Sequence, residues 1–219
     1  MGIEINLLAK YPKSKRDLDE RADAKTEKDR EIARQFGKDF FDGDRRHGYG
    51  GFNYSPRFWE PVISSFQNHW KLDSDSSVLD VGCAKGFMLF DLSKLIPGIS
   101  IKGIDISKYA INNSKPEVRE HLQIGDAQSL PFDDNSFDVV ISVNTVHNLD
   151  TDGCANALRE IERVSRGKSF ITVDAYRSKV EKDRMYKWNL TAKTIMHVDE
   201  WKSFFDNVGY SGDYFWFIP

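Results

Sequence analysis

From Ser77 onward, short β-rich runs alternate with helical runs: SVLDV, KGFMLFDLSKLI, SIKGIDI, SKYAINNS, HLQIG, FDVVISV, CANALREIERV, SFITVDAY. That alternation constrains the fold to α/β, a mainly parallel sheet with helices on both faces. Val78, Leu79, Val139, Val140, Ile141, Ile171 and Val173 lie in near-continuous apolar runs, the pattern of strands covered on both sides, so they are expected at the sheet centre. Upstream, Phe58, Val62, Phe66 and Trp70 recur every fourth position, which predicts an amphipathic helix with Ser55 as its cap and Pro56 at its first position. After Ser178 the pattern thins, then predicts a helix around 198–208 and an aromatic strand, GDYFWFIP.

A chain of 219 residues accommodates one substantial core. Residues 56–219 are assigned to that domain and residues 1–55 to a helical N-terminal extension. Between 10 and 34 the extension is dominated by charge, with Leu18, Ala22, Ile32 and Phe36 as sparse apolar points, so it reads as a solvated arm or a substrate-gating lid. With 31 Lys and Arg against 34 Asp and Glu, the net charge of -3 gives no global field to attract nucleic acid or an anionic membrane. The two cysteines, Cys83 and Cys154, lack disulfide or zinc spacing. No apolar run is long enough to span a bilayer and no secretory pattern opens the chain, so a cytoplasmic setting is expected.

The strongest motif is VLDVGCAKGF, residues 78–87, where an apolar strand carrying Asp80 enters a glycine turn and then a helix. Gly82 permits the sharp turn and close ligand approach, and Gly86 the tight start of the helix. Asp105 ends the next strand, where a carboxylate can accept both hydroxyls of a ribose. Asp126, just past the third strand, can meet an adenine amino group. Three acids at neighbouring strand ends thus converge on one nucleoside. A nicotinamide-binding dehydrogenase starts from a similar turn, but GCAKG lacks its glycine spacing.

Residues 77–175 resemble the class I methyltransferases, whose motifs read like VLDVGCGxG, GxDxS and GDAxxLPFxDxSFDxV; here they are VLDVGCAKG, GIDIS and GDAQSLPFDDNSFDVV. The resemblance implies a Rossmann-like fold and S-adenosylmethionine as cofactor, with S-adenosylhomocysteine as product. It places Asp80 at the methionine amino group and Gly82 along the methionine portion, with Cys83, Ala84 and Gly86 in the same cofactor-binding turn. Asp105 would hold the ribose, Ile106 would pack on the adenine, Asp126 and Ala127 would meet its edge, and Asn144 would close the site. Two departures stand out. The family's middle glycine is Ala84, which fits if its φ is negative, and only one strand is found where two antiparallel strands usually end the sheet.

Methyl transfer from a sulfonium needs an aligned acceptor, excluded water and, for a hydroxyl or ammonium acceptor, removal of a proton. Residues after the fourth and fifth strands are the natural suppliers. His147 is the candidate general base, with loop packing as its alternative role. Tyr176 and Arg177 are candidates for orienting substrate, although Asp174 and Arg177 could equally pair structurally. His47, Tyr49 and Tyr54 flank glycines in HGYGGFNY and suit a loop touching cofactor or substrate, or an aromatic anchor. Trp188, Asn189, Thr191 and His197 lie where an acceptor-site cover would sit. No NPPY-like element, Pro-Cys nucleophile or carboxylate cluster for magnesium is present, so no nucleic-acid target, membrane partner or metal is expected. The partner is a small molecule. Similarity of FDGDRRHGYGGFNY, ERVSRGKSFITVDAYR and WNLTA to a bacterial methyltransferase subgroup favours O- or N-methylation of a small polar metabolite, such as a sugar or nucleotide-sugar. The alternative is an idle cofactor-binding module that regulates a partner. Oligomeric state is not readable from the sequence.

Overall fold

A computed structural model describes residues 2–12 and 26–219; Leu18 and Ala22 of the charged arm lie outside the described residues. Within the extension, residues 26–55 carry two short helices, α1 (Glu27–Ala33) and α2 (Lys38–Asp42). Thr26 and Asp29 close α1 with a reciprocal capping box, satisfying amides the helix leaves free. The four-residue stripe forms α3 (Pro56–Trp70), which buries Val62, Ile63, Phe66 and Trp70. Pro56 takes the first turn as expected. Ser55 stands at the N-cap, but its side chain makes no capping hydrogen bond.

The alternation then unrolls as β1 (Ser77–Val81), α4 (Phe87–Leu95), β2 (Ser100–Asp105), α5 (Lys108–Asn112), β3 (Leu122–Ile124) and β4 (Val139–Val143). After these come α6 (Thr151–Val164), β5 (Ser169–Tyr176), α7 (Lys179–Trp188), β6 (Met196–His197), α8 (Val198–Val208) and β7 (Asp213–Phe217). The sheet runs β3-β2-β1-β4-β5, with β7 pairing along β5 and β6 pairing its last two residues. One core, including Leu158, Ile161, Trp201 and Phe205 from α6 and α8, covers one face. The other, including Phe66 and Trp70 of α3 and Leu89 and Leu92 of α4, covers the opposite face. Successive strands are added outward from β1 to β2 and β3 on one side and then from β4 to β5 on the other, and this switch in strand order opens a crevice at the carboxyl ends of the central strands.

Every strand pairing in the sheet is parallel. The aromatic strand, expected from the resemblance to be antiparallel, instead lies parallel to β5, from Phe170 opposite Asp213 to Asp174 opposite Phe217. The physical reason is the connection: α8 carries the chain back across the sheet, and a helical crossover delivers the next strand in the same direction. Beyond β7 the amino-terminal segment supplies the edge. Ile5 N donates to Tyr214 O at 2.9 Å, Tyr214 N donates to Ile3 O at 3.1 Å, and Leu7 is buried against the second core. Among the described residues no helix is long and apolar enough to cross a membrane.

Candidate functional site

A cavity of about 480 Å³ lies across the carboxyl ends of the parallel strands. Its lining follows the sheet order: Asp126 and Ala127 after β3, Asp105 and Ile106 at the end of β2, Gly82 and Ala84 after β1, Asn144 and Thr145 after β4, and Asp174 in β5. Of the residues the sequence suggested, the structure brings Gly82, Ala84, Asp105, Ile106, Asp126, Ala127, Asn144, His147 and Tyr49 together in one space.

The glycine turn is held by its neighbours. Gly82 N and Cys83 N both donate to Ile104 O, at 2.8 and 3.1 Å. Gly82 has φ +87°, and a Cβ there would lie 2.1 Å from Thr145 Oγ1, so the position admits no side chain. Ala84 departs from the expectation of negative φ: it sits at +49°, in the left-handed region. Its amide donates to Asp105 Oδ2 at 2.7 Å, a bond that holds the turn in this shape. Gly86, at φ +75°, starts α4 from below the cavity rather than in it; a Cβ there would meet Leu122 and Val118. Cys83 is also outside the lining, buried in the second core, where burial pushes its thiol far up.

Asp105 accepts from Ala84 N and from Ser107 N, at 2.7 and 2.8 Å. A carboxylate has about four acceptor sites, so two such bonds leave capacity for a vicinal diol. Asp80 stands behind the turn, buried and outside the cavity wall, and no hydrogen bond from the described residues reaches its carboxylate. Burial, then the charge of Asp105, hold its carboxyl well above the ordinary range; burial raises Asp105 as well. Two buried acids side by side suit a cationic ligand that also offers hydroxyls, so the donor set fits an adenosyl sulfonium. Asp126 is exposed and accepts from Gln128 N at 2.9 Å, which turns it toward the cavity rim.

The extension forms one wall of the cavity with Phe36, Phe40, Phe41 and Tyr49. Tyr49 and Phe52 rings lie 4.4 Å apart, and Lys85, from the glycine turn, donates to Asp42 at 2.6 Å and to Phe52 O at 2.9 Å. Tyr49 lines the cavity, while its neighbours in HGYGGFNY anchor the extension. Tyr54 does not reach it. Its hydroxyl donates to Asp91 at 2.7 Å under α4. His47 pairs with Asp29 at 3.1 Å.

At the far end, His147 is 3% exposed, and its Nδ1 accepts from Asp174 N at 3.1 Å. Its Nε2 lies 3.6 Å from Asp174 Oδ1. Burial lowers the imidazole and raises the Asp174 carboxyl, and each partner's charge works against that shift. Tyr176 and Arg177 fall outside the cavity. Tyr176 packs on His197 at 5.7 Å, and Arg177 pairs with Glu4 at 2.9 Å rather than with Asp174. Tyr176 is held at the sheet edge by β6, which pairs with it and Ala175, and Arg177 is held by Glu4. Asp174, Thr145, Asn148, Arg34 and Lys193 are lining residues that sequence reasoning did not assign to the site. Asp174 was within reach of the strand-end argument that found Asp105; Arg34 and Lys193 carry no sequence signal of their place. Trp188, Asn189 and Thr191 line the cavity as an acceptor-side cover would, whereas His197 caps α8.

An acid-lined crevice at the carboxyl ends of a parallel, doubly covered sheet defines a Rossmann-like enzyme that binds a nucleoside cofactor. Residues 72–209 match the family described as a methyltransferase domain, and the chain belongs to that family. It is an S-adenosylmethionine-dependent methyltransferase. A putative methyltransferase of Encephalitozoon cuniculi is 33% identical over 153 residues, covering 63% of this chain and 68% of that protein. The tRNA (carboxymethyluridine(34)-5-O)-methyltransferase of Arabidopsis thaliana is 31% identical over 151 residues, 67% of this chain but only 35% of that enzyme's length. The crystal structure of YcgJ from Bacillus subtilis superposes with a TM-score of 0.54 at 21% identity, covering 67% of this chain and 66% of that one, a likeness of fold.

Proposed function

We propose that this methyltransferase acts on a hydroxyl or amine of a small polar metabolite, a class that includes sugars and nucleotide-sugars. The observation that carries this reading is the polar end of the cavity, where His147, Asn148, Asp174 and Lys193 meet beside the β4 and β5 ends. Asn148 Oδ1 is buried there without a partner, an acceptor that a substrate hydroxyl or amine would satisfy. When bound, the cofactor supplies an activated methyl group on a sulfonium. In this reading Asp105 takes the ribose, Ile106 and Ala127 flank the adenine, and Asp126 accepts from its amine. Gly82, Ala84 and Asn144 line the methionine path, with Asp80 supplying negative charge behind the turn. Arg34 and Lys193 give the cavity two cations suited to an anionic substituent on the acceptor.

The Arabidopsis relative acts on tRNA, but this chain's net charge of -3 gives no general attraction for a polyanion, which supports the small-molecule reading. A cytoplasmic setting accords with it. The test is transfer of radiolabelled methyl from the cofactor into cell extract separated into RNA, protein and low-molecular-weight fractions. Label is expected in the low-molecular-weight fraction above a heat-denatured control. Label confined to RNA would overturn the acceptor class, and no label in any fraction would favour an idle regulatory module. Asp105→Ala tests the cofactor assignment separately: losing charge-assisted hydrogen bonds worth about 1.5–3 kcal/mol each should weaken binding about ten-fold or more by calorimetry.

A further inference from the structure

We propose that Asp174, not His147, takes the proton from the methyl-accepting group, and that His147 is a positioning residue that aims its Nε2–H at the Asp174 carboxylate. The inference rests on the methyl-transfer reading above and deepens it at the acceptor end of the same cavity.

The argument begins with the imidazole. Asp174 N is a backbone donor, and the atom it meets, at 3.1 Å, is His147 Nδ1. A nitrogen that accepts from an N–H cannot itself carry a hydrogen, so in the neutral ring the proton must sit on Nε2. The ring cannot turn freely to change this, because its residue is 3% exposed and its carbonyl accepts from Lys193 N and Thr194 N, both at 3.0 Å. His147 therefore has no free lone pair to offer a substrate. Its one remaining donor, Nε2–H, lies 3.6 Å from Asp174 Oδ1.

Asp174 has what His147 lacks. It lines the cavity, it is 7% exposed, and no hydrogen bond from the described residues reaches its carboxylate. Its backbone is fixed on both sides: the N–H by His147, and the carbonyl by Trp201 Nε1 at 3.0 Å. A buried carboxylate with open lone pairs, on a backbone so pinned, is a preorganised proton acceptor. Burial raises its carboxyl above the ordinary range, which strengthens it as a base. In the reaction, an acceptor lone pair forms the new bond to the methyl carbon and the carbon–sulfur pair stays on sulfur. The acceptor's proton passes to an Asp174 oxygen and from there to solvent.

Two measurements test this. Nitrogen-15 NMR of the labelled protein without cofactor, with the His147 signal assigned through its loss in His147→Asn, should report the Nε2–H tautomer. Asp174→Asn should leave that tautomer in place, because the residue 174 backbone N–H remains. A ring protonated on Nδ1, or one that switches in Asp174→Asn, overturns the assignment. In the radiolabel assay, Asp174→Asn should lower turnover on the order of 10² to 10⁴-fold with cofactor affinity by calorimetry retained. His147→Asn, which keeps an acceptor near the Nδ1 place, should lower it by several-fold. A His147→Asn loss equal to or larger than that of Asp174→Asn would overturn the proposal while leaving the methyl-transfer reading intact. Absence of label with the unaltered protein would overturn that reading and this assignment together.

Discussion

Ala84 occupies a backbone conformation that an L-residue adopts at a cost of about 1–2 kcal/mol, and it does so to present its amide to Asp105. Glycine would remove that cost but lose about 0.5–1 kcal/mol in unfolded-chain entropy, so Ala84→Gly should stabilise the protein by up to about 1.5 kcal/mol. The expected readout is a higher denaturant midpoint with an unchanged slope; a lower midpoint would mean that the alanine methyl makes a contact worth more than its strain. Gly82 is the opposite case, since its φ is also positive and a Cβ would collide with Thr145. Gly82→Ala should cost more than about 2 kcal/mol, combining the left-handed penalty with that overlap. Pairing it with Thr145→Ala should recover only part of the loss in thermal melting, because the Thr145 Cβ would still lie 2.7 Å away.

Among the elements, the extension is held to the glycine turn by few polar contacts, and Lys85 is the central one. Its amine is buried with Asp42 at 2.6 Å, and Tyr109 shares the same carboxylate at 2.8 Å. Asp42→Asn would strand a buried ammonium, a change that costs about 3–5 kcal/mol when the pair is fully enclosed and less here, where Asp42 is partly exposed. Faster hydrogen exchange across residues 26–55 with little change in α6 and α8 is the expected signature; uniform loss would show that the extension and the core melt as one. The sequence made the alternating elements legible because period and punctuation are local properties. The acids at the ends of β1 to β3 were legible for the same reason, since a strand end is a place in the sequence as well as in the fold. Strand direction at the sheet edge was not, as a single aromatic run such as DYFWF pairs equally well either way until α8 fixes it. Nor was the separation of Tyr54, Tyr176 and Arg177 from the cavity, which depends on Asp91, β6 and Glu4, partners remote from the motifs that suggested the roles.

For the molecule as a whole, the acids of the cleft set a pH dependence with a definite sign. Asp80, Asp105 and Asp174 are all raised by burial, so the folded protein binds protons that the unfolded chain has already released. Their contribution to stability therefore falls as pH climbs from about 4 through the raised values. A cationic cofactor prefers the ionised acids and reverses this cost, so its affinity should rise over the same window and its binding should release protons. Calorimetry from about pH 5 to about pH 8 in buffers of different ionisation heat checks this; a flat affinity without proton release would show that the acids are already ionised in the empty cleft. A different consequence lies in the sheet edge, where the Ile3 amide bonds to Asp213, 210 positions later in the chain. As the polypeptide leaves the ribosome, the Ile3 segment must wait for the 210 residues up to Asp213 to be synthesised before it meets its partner strand. Long-range closures of this kind are slow, so the seam between these two distant segments should be among the last to zip up and, until then, the most vulnerable to pairing with a neighbouring nascent chain.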